Sequence, residues 1–426
     1  MTPIDAVLAG ARPGMAPPTL EQDALGWLIS PLEAESFFSQ YLEKTYVVTG
    51  EPDTSRFRDL LSLADLDAVI GGYGVKHPNI RLVRHEEDVP ARDYVFGDSV
   101  IDPMRAARLF AEGATIIFGS LHDRHERVRQ LCTAIGQSAS MKTQANIYLT
   151  PPRSQGFDIH WDTHDVFVIQ VEGTKDWRMY AGGPAHPLGG QKFDPARDKP
   201  GEQIDEFTLH AGQVLYIPRG IMHAAAATEQ VSLHITLGLI PYTWIELLSD
   251  CLTELAERSP EWRENLPLGF ARDAAGGVSA VERELRARAA SLMDQVDVEA
   301  VLTGRVQAVE AAHRPRSSDY LRQAIAAGSL RDDDMIAKRV ELPMRLNRRE
   351  DRLVLRCGER EVSFPAAAQR TLEAILAGDS IRLSDLEDGL DPTSRRTVIT
   401  TLIREGIVAN RGTGNGNGKL EVTHGR

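Results

Sequence analysis

The pattern of apolar and polar positions changes character repeatedly along this chain, and each change marks a different kind of structure. Apolar residues recur at helical spacing over residues 32–41 and pass into the apolar run Tyr46-Val47-Val48, which predicts a helix followed by a strand. A second strand is predicted at Ala114-Thr115-Ile116-Ile117-Phe118 and a helix over 122–135. From Ala145 to Ile240 the pattern becomes one of short β-type runs broken by Pro and Gly. Examples are Phe167-Val168-Ile169-Gln170-Val171, Val214-Leu215-Tyr216-Ile217 and residues 231–236. Such a series predicts a small β-barrel or jelly roll.

After Pro241 helical periodicity returns over 244–258 and 281–296, which predicts a helical domain over 241–334. Its apolar helix faces suit either an internal core or a second copy of the chain. Residues 335–426 predict a third unit. One helix is read over 364–377, and a second begins at Asp391-Pro392, an N-cap followed by proline at the first helical position. Val398, Ile399, Leu402 and Ile403 give that second helix an apolar face, and Gly406 ends it. Residues 407–410 and 419–422 flank a Gly-Asn-rich turn as strands of a hairpin, completing the outline of a winged helix. Residues 1–24, rich in Ala, Gly and Pro, read as a loose tail, which leaves 25–240 as the β-rich domain.

Composition narrows the setting. With 42% hydrophobic and 26% charged residues in 426, the profile is that of a soluble globular protein of roughly two to four domains. No apolar stretch is long enough to span a bilayer, and Asp5 interrupts the N-terminus before any signal-like run can form. Three scattered cysteines, Cys132, Cys251 and Cys357, offer neither a disulfide framework nor metal spacing, which favours a reducing cytoplasm. The formal charge of -13 argues against unaided binding to nucleic acid and for a basic protein or peptide partner. Arg395, Arg396 and Arg404 accordingly read as a solvated face, and direct DNA binding is not expected.

Candidate chemistry concentrates at His160-Trp161-Asp162. On an extended strand His160 and Asp162 point the same way and Trp161 the other, so two ligand types arrive side by side. Two imidazoles and a carboxylate on one face of a metal leave the other face open, as non-haem Fe(II) oxygenases require. His223 is preferred as third ligand because Gly212–Tyr216 and then Pro218-Arg219-Gly220 make a strand and tight turn that return it toward the barrel mouth. His234 is a rival third ligand. His164 forms an H-x-x-x-H pair with His160 that could chelate zinc on a helix, but the β-type surroundings argue against one. His186 and His210 read as surface histidines. Taken alone, H-x-D with a distant histidine also fits a hydrogen-bonded structural pair.

The flanking residues add to this. Gly156-Phe157-Asp158-Ile159-His160-Trp161-Asp162, the run from Val166 through Glu172-Gly173-Thr174-Lys175-Asp176-Trp177 to Tyr180, and Gly212 to His223 resemble the JmjC-type ribosomal oxygenases. These are a branch of the cupin-fold Fe(II)/2-oxoglutarate dioxygenases. Residues 27–50, the segment Leu266-Pro267-Leu268-Gly269-Phe270 and the winged-helix pattern extend the likeness to nearly the whole chain. The resemblance implies an α+β chain: a double-stranded β-helix (jelly-roll/cupin, JmjC) catalytic domain, a helical dimerisation domain and a winged-helix domain. It implies that His160, Asp162 and His223 hold Fe(II), that Lys175 binds the distal carboxylate of 2-oxoglutarate, and that Asn146 and Tyr148 are polar cosubstrate contacts. A strand-end hydrogen bond is the competing role for those two. The implied reaction consumes 2-oxoglutarate and O2 and hydroxylates a side chain, an arginine or histidine of a basic ribosomal protein, by a cytoplasmic homodimer.

Three features depart from the family pattern: His164, where an acidic or apolar residue is usual; Ala224 to Ala227, in place of a more polar segment; and Gly238, where a small hydroxylated residue is frequent. They fall near the cosubstrate and substrate pocket, which leaves another peptide or a natural product open as the target. The other classes consistent with the chain are a non-enzymatic cupin-like scaffold joined to a winged helix, which senses a metal or small acid and regulates a partner or DNA, and a zinc-dependent cupin hydrolase or isomerase, which would not require Lys175.

Overall fold

A computed structural model of the protein describes residues 18–413 apart from 21, 73, 85–86, 156–157, 271, 273–276, 313–318, 340–343, 359, 378–379 and 387–388. The loose-tail reading of residues 1–17, the Gly156-Phe157 start of the motif and the second hairpin strand at 419–422 lie outside the described residues.

The β-rich segment is built from β1 (Val47–Thr49), β2 (Ile80–Arg84), β3 (Glu87–Asp88), β4 (Thr115–Phe118), β5 (Lys142–Thr150), β6 (Asp165–Glu172), β7 (Thr174–Tyr180), β8 (Gln203–His210), β9 (Val214–Ile217), β10 (Met222–Ala227) and β11 (Ser232–Ile240). Eight of these form one sheet in the order β1-β9-β6-β11-β5-β4-β2-β3, and a smaller sheet runs β10-β7-β8. The long central ladders are antiparallel, with Ile235 facing Ile147 on one side and Ile169 on the other.

Burial explains the sequence pattern. The run from Asp165 to Val171 is buried throughout because both faces of the large sheet are covered. On one face, Phe167, Ile169, Ile147 and Ile235 pack against helices such as Ala24–Ile29, Ala34–Gln40 and Glu126–Ala139 through Leu28, Phe37 and Leu131. On the other, Val166, Val168 and Leu215 meet Trp177, Met179 and Leu209 of the small sheet.

The helix expected at 122–135 is shifted. Leu121–Asp123 is a single 3-10 turn, and the helix runs Glu126–Ala139 with the His125 side chain accepting from the Val128 N–H as its cap.

Residues 241–312 form a separate compact unit. Its helices are Trp244–Arg258, Gly277–Gln295 and Val298–Ala312. Thr243 and Glu246 cap the first of them reciprocally. Cys251 and Leu255 are buried, whereas Trp244, Leu248, Leu252, Leu285 and Met293 are exposed.

Toward the C-terminus, β12 (Asp334–Lys338) follows the helix Tyr320–Ala326, and β13 (Met344–Arg349), β14 (Arg352–Cys357) and β15 (Arg360–Pro365) form an antiparallel meander that the sequence reading missed. Phe364 therefore belongs to a strand, and the helix expected at 364–377 begins only at Gln369. The following helix, Pro392–Arg404, starts as read: the Asp391 carboxylate accepts from the Thr393 and Ser394 N–H groups, and Val398, Ile399, Leu402 and Ile403 are buried. After Gly406, β17 (Val408–Thr413) pairs with β12. β12 also pairs with β16 (Ser380–Arg382) on its other edge.

Candidate metal centre

His160, Asp162 and His223 converge: one ligand atom from each lies within 4.8 Å of the other two. Among the described residues no other group of histidine, cysteine or carboxylate side chains is so placed. His164 and His234 are outside this group.

The backbone builds the cluster. His160 and His223 form an isolated antiparallel bridge in which each N–H donates to the other's carbonyl, at 3.1 and 2.8 Å. His223 lies on β10, and the turn before it closes when the Gly220 N–H donates to the Asp162 carbonyl at 2.9 Å. Gly220 has a φ of +86°, and a Cβ there would meet the Pro184 carbonyl oxygen at 2.0 Å, so this turn requires glycine. Trp161 is buried, its ring edge-on to Phe193 at 6.2 Å.

Each imidazole is aimed by a hydrogen bond from its inner nitrogen. His160 Nδ1 lies 2.8 Å from the Asp158 carbonyl and His223 Nδ1 2.9 Å from the Ile221 carbonyl. Donation from both Nδ1 atoms leaves both Nε2 lone pairs for a metal, the arrangement that fixes tautomer and ring direction in histidine sites. His223 Nε2 is 3.8 Å from Asp162 Oδ2, and the two rings are 4.6 Å apart. Burial and the neighbouring His160 draw the His223 pKa down to about 4, against the opposing pull of Asp162. The imidazole is therefore neutral near pH 7, as a metal ligand must be.

A buried ion-pair network holds the two ligand segments in register. Asp165, three residues after Asp162, accepts from the Tyr216 hydroxyl at 2.5 Å and the Arg219 N–H at 3.0 Å, and pairs with the Arg219 guanidinium at 3.3 Å. Arg219 also pairs with Glu43. Asp165 and Arg219 are both over nine-tenths buried. Asp165→Ala would leave Arg219 with Glu43 as its counter-charge but remove the acceptor of the Tyr216 hydroxyl and the Arg219 N–H, and is expected to cost about 1–3 kcal/mol, read as a lower denaturant midpoint, with Asp165→Asn milder because it keeps hydrogen bonds. Equal, small losses in both variants would show that the pair does not hold this register.

The triad opens into a cavity of about 270 Å³, near the lower end of the roughly 300–1,000 Å³ usual for small-molecule sites. Asn146, Tyr148, Lys175 and His234 line it, as do Arg81, His164 and Thr236. Lys175 is only 4% exposed and lies on the inward face of β7. No carboxylate of the described residues forms an ion pair with it, and burial alone draws its pKa down to about 7. Unpaired, a buried ammonium is costly; a carboxylate from a ligand would satisfy it. Asn146 has its carboxamide oxygen engaged by the Ser120 N–H at 3.0 Å. Tyr148 stacks on His234 with centroids 4.9 Å apart, and burial, reinforced by Asp162, raises its pKa to about 12. His234 is held well below its usual pKa by burial and by Lys175, and its Nδ1 is buried without a partner.

Sequence reasoning missed Arg81, on β2. Its place follows from strand pairing alone, Arg81 beside Ile117, Ile117 beside Tyr148 and Tyr148 beside His234. It treated His234 only as a rival ligand, whereas the fold sets that ring next to Lys175.

The donor set fits a divalent metal with open positions, two neutral imidazoles and one carboxylate without thiolate, and the unpaired Lys175 fits a small acid beside it.

Residues 121–247 match the JmjC domain family. The bifunctional lysine-specific demethylase and histidyl-hydroxylase NO66 of Dictyostelium discoideum is 30% identical over 261 residues, covering 58% of this chain and 49% of the relative. Human ribosomal oxygenase 1 is 28% identical over 317 residues, covering 70% of this chain and 47% of the relative. The chain thus spans about half the length of these curated relatives. The Escherichia coli ribosomal oxygenase YcfD shares its fold at a TM-score of 0.51 and 18% identity, over 89% of this chain and 98% of that one. A structure of YcfD with cobalt and 2-oxoglutarate aligns at 0.50 over 90% and 99%. At this identity the likeness to YcfD establishes the cupin-type fold.

Proposed function

We propose that this chain, whose residues 121–247 belong to the JmjC domain family, is an Fe(II)- and 2-oxoglutarate-dependent dioxygenase that hydroxylates a protein side chain. The observation that carries the proposal is the pairing of an open two-histidine, one-carboxylate cluster with a buried, unpaired Lys175 in one cavity. A zinc hydrolase, or a scaffold that senses only a metal, would use the cluster but has no need of the buried cation.

In this reading His160, Asp162 and His223 hold the metal. Lys175 anchors the distal carboxylate of 2-oxoglutarate, with the unpartnered His234 Nδ1 and the Tyr148 hydroxyl beside it and the Asn146 amide nitrogen as a further donor. Iron, when bound, supplies oxidative decarboxylation of the cosubstrate coupled to oxygen insertion into a C–H bond. The protein's part is to aim the ligands through the Asp158 and Ile221 carbonyls, to fix the cosubstrate's free end, and to wall the site with Val166, Val168 and Trp177 against bulk water.

The names of the relatives include histidyl-hydroxylase and ribosomal oxygenase, and a net charge of -13 suits a basic ribosomal segment. An arginine or histidine of such a protein is the target we favour. Anaerobic titration with Fe(II) and then 2-oxoglutarate tests the reaction class: a visible charge-transfer band requiring both is expected, and bound metal without such a band would favour the sensor or zinc reading. Basic ribosomal peptides turned over with O2 should then gain the mass of one oxygen.

The division into a catalytic domain over 25–240, a helical dimerisation domain over 241–334 and a winged-helix domain over 335–426 completes the proposal, in a cytoplasmic homodimer. Exposed Trp244, Leu248 and Leu252 on one capped helix support the dimer. Light scattering should give twice the chain mass, and Leu252→Glu should lower it; a wild-type monomer at micromolar concentration would refute it.

A further inference from the structure

The net charge of -13 is unevenly placed along the chain. Residues 335–426 carry 16 Lys and Arg against 13 Asp and Glu, a net +3, so residues 1–334 carry -16. Six of those basic residues, all arginine, fall on the meander of β13, β14 and β15. Strand register sorts them. Arg345 faces Arg356 and Arg349 faces Arg352 across β13 and β14, and between these two rows lies a third, Asn347, Val354 and Ser363. Alternation along each strand puts all three rows on one face of the sheet. Arg345, Asn347, Arg349, Arg352 and Ser363 are exposed, Arg356 is half-buried and Val354 is buried.

Like charges directly opposite each other destabilise an antiparallel pair, and here two such pairs stand on one face. A single strand carboxylate, Glu361, serves both rows: it pairs with Arg356 and, at 3.4 Å, with Arg349. Arg352 donates to Ser363 Oγ at 2.6 Å. The sequence puts the other acidic residues of the meander, Glu350, Asp351 and Glu359, in the connections between strands. The face therefore keeps an excess of cation that an anionic partner can neutralise. The two arginine rows are four residues apart on β13, about 13 Å, too far for one small anion to bridge and suited to an extended polyanion. Guanidinium forks match phosphate oxygens. No aromatic residue lies in the three rows to stack an unpaired base, as single-strand binding uses. Asn347 and Ser363 set hydrogen-bonding groups between the arginine rows, and the 2′-hydroxyl is the group that distinguishes an RNA duplex from DNA.

We propose that this face of the meander docks the backbone of double-stranded RNA, without regard to base sequence. The proposal goes beyond the oxygenase reading and stands without it; together with that reading it supplies a foothold on the RNA that carries a ribosomal target. It differs from reading DNA through the helix Pro392–Arg404, where Arg396 is engaged by Asp332 at 2.6 Å.

The test is fluorescence anisotropy of a short fluorescein-labelled RNA duplex titrated with the full chain at rising KCl. Log affinity should fall with log salt at a slope set by about three or four phosphates. The double variant Arg349→Gln with Arg352→Gln should lower that slope by about two and weaken binding by about ten- to fiftyfold. Its melting temperature should not fall, because the substitution removes a like-charge pair. A DNA duplex of the same sequence should bind several-fold more weakly, and polyglutamate should not displace the RNA. Absence of RNA binding, or a double variant that binds RNA as the wild type does, overturns the proposal. Equal affinity for DNA overturns the assignment to RNA, and displacement by polyglutamate assigns the face to an acidic protein instead. A lowered melting temperature with unchanged RNA affinity assigns the arginines to packing. The Fe(II) and 2-oxoglutarate titration should be the same in the variant; a wild type without the charge-transfer band brings down the oxygenase reading and leaves the RNA result standing.

Discussion

His223→Ala is expected to abolish tight metal binding, and with it the charge-transfer band and all turnover, while the fold is retained. Two ligands, His160 and Asp162, remain, but the closed face of the site is lost. The effect should exceed the roughly 10–100-fold that changes in outer hydrogen-bonding partners of metal ligands typically cause. The fold should survive because the bridge between residues 160 and 223 is made by backbone groups, which alanine keeps. Titration with Co(II), followed by its visible absorption, reads the loss. Stoichiometric, tight binding by the variant would mean that the metal sits elsewhere.

Lys175→Ala should leave Co(II) binding intact and weaken 2-oxoglutarate by roughly 30-fold to more than 1,000-fold, the range for truncating one partner of a buried charge pair. Calorimetry on the metal-loaded protein measures it, and affinity within a few-fold of wild type would remove Lys175 from the site. The same experiment has a pH signature. Burial draws the Lys175 pKa down from 10.5 to about 7. Below about pH 7 the ammonium is already charged and affinity should be at its plateau. Above it, binding must recharge the lysine, so affinity should fall with rising pH, by at most about tenfold per unit, with net proton uptake visible as a dependence on buffer ionisation heat. For folding the sign is separate: the depressed value disfavours the folded state while both states are protonated, and stability should rise between about pH 7 and 10.5 as that penalty is relieved. Lys175→Ala should flatten both dependences.

The elements legible in the sequence were those with an unambiguous local signal. Val214–Ile217 and Trp244–Arg258 appear where the pattern placed them, because each combines strong periodicity with a clear stop or cap. The meander at Met344–Cys357 and Arg360–Pro365 was missed because its strands, such as Met344-Arg345-Leu346-Asn347-Arg348-Arg349, expose most of one face and carry charge. Phe364 was read into a helix for a related reason: an aromatic and a proline, Phe364-Pro365, followed by three alanines resemble a helix start, and only pairing with Leu353 puts Phe364 on a strand. For the site, the H-x-D pair and the turn before His223 gave all three metal candidates, whereas Lys175 came only from the resemblance of Glu172-Gly173-Thr174-Lys175-Asp176-Trp177 to the ribosomal oxygenases.

By itself the sequence determined the kind of chemistry this chain can carry: which residue types are present, which of them alternate onto one strand face, and where chain reversals must occur, all properties set within a few residues. Tertiary structure decided everything that depends on distant strands meeting. It separated His223 from His234 as third member of the cluster, brought Arg81 to the cavity through the pairing of β2 with β4, left Lys175 buried without a counter-charge, and set the His164 ring on Gly238. The physical reason is that register between strands far apart in sequence is fixed by packing over the whole sheet, and no local pattern records it.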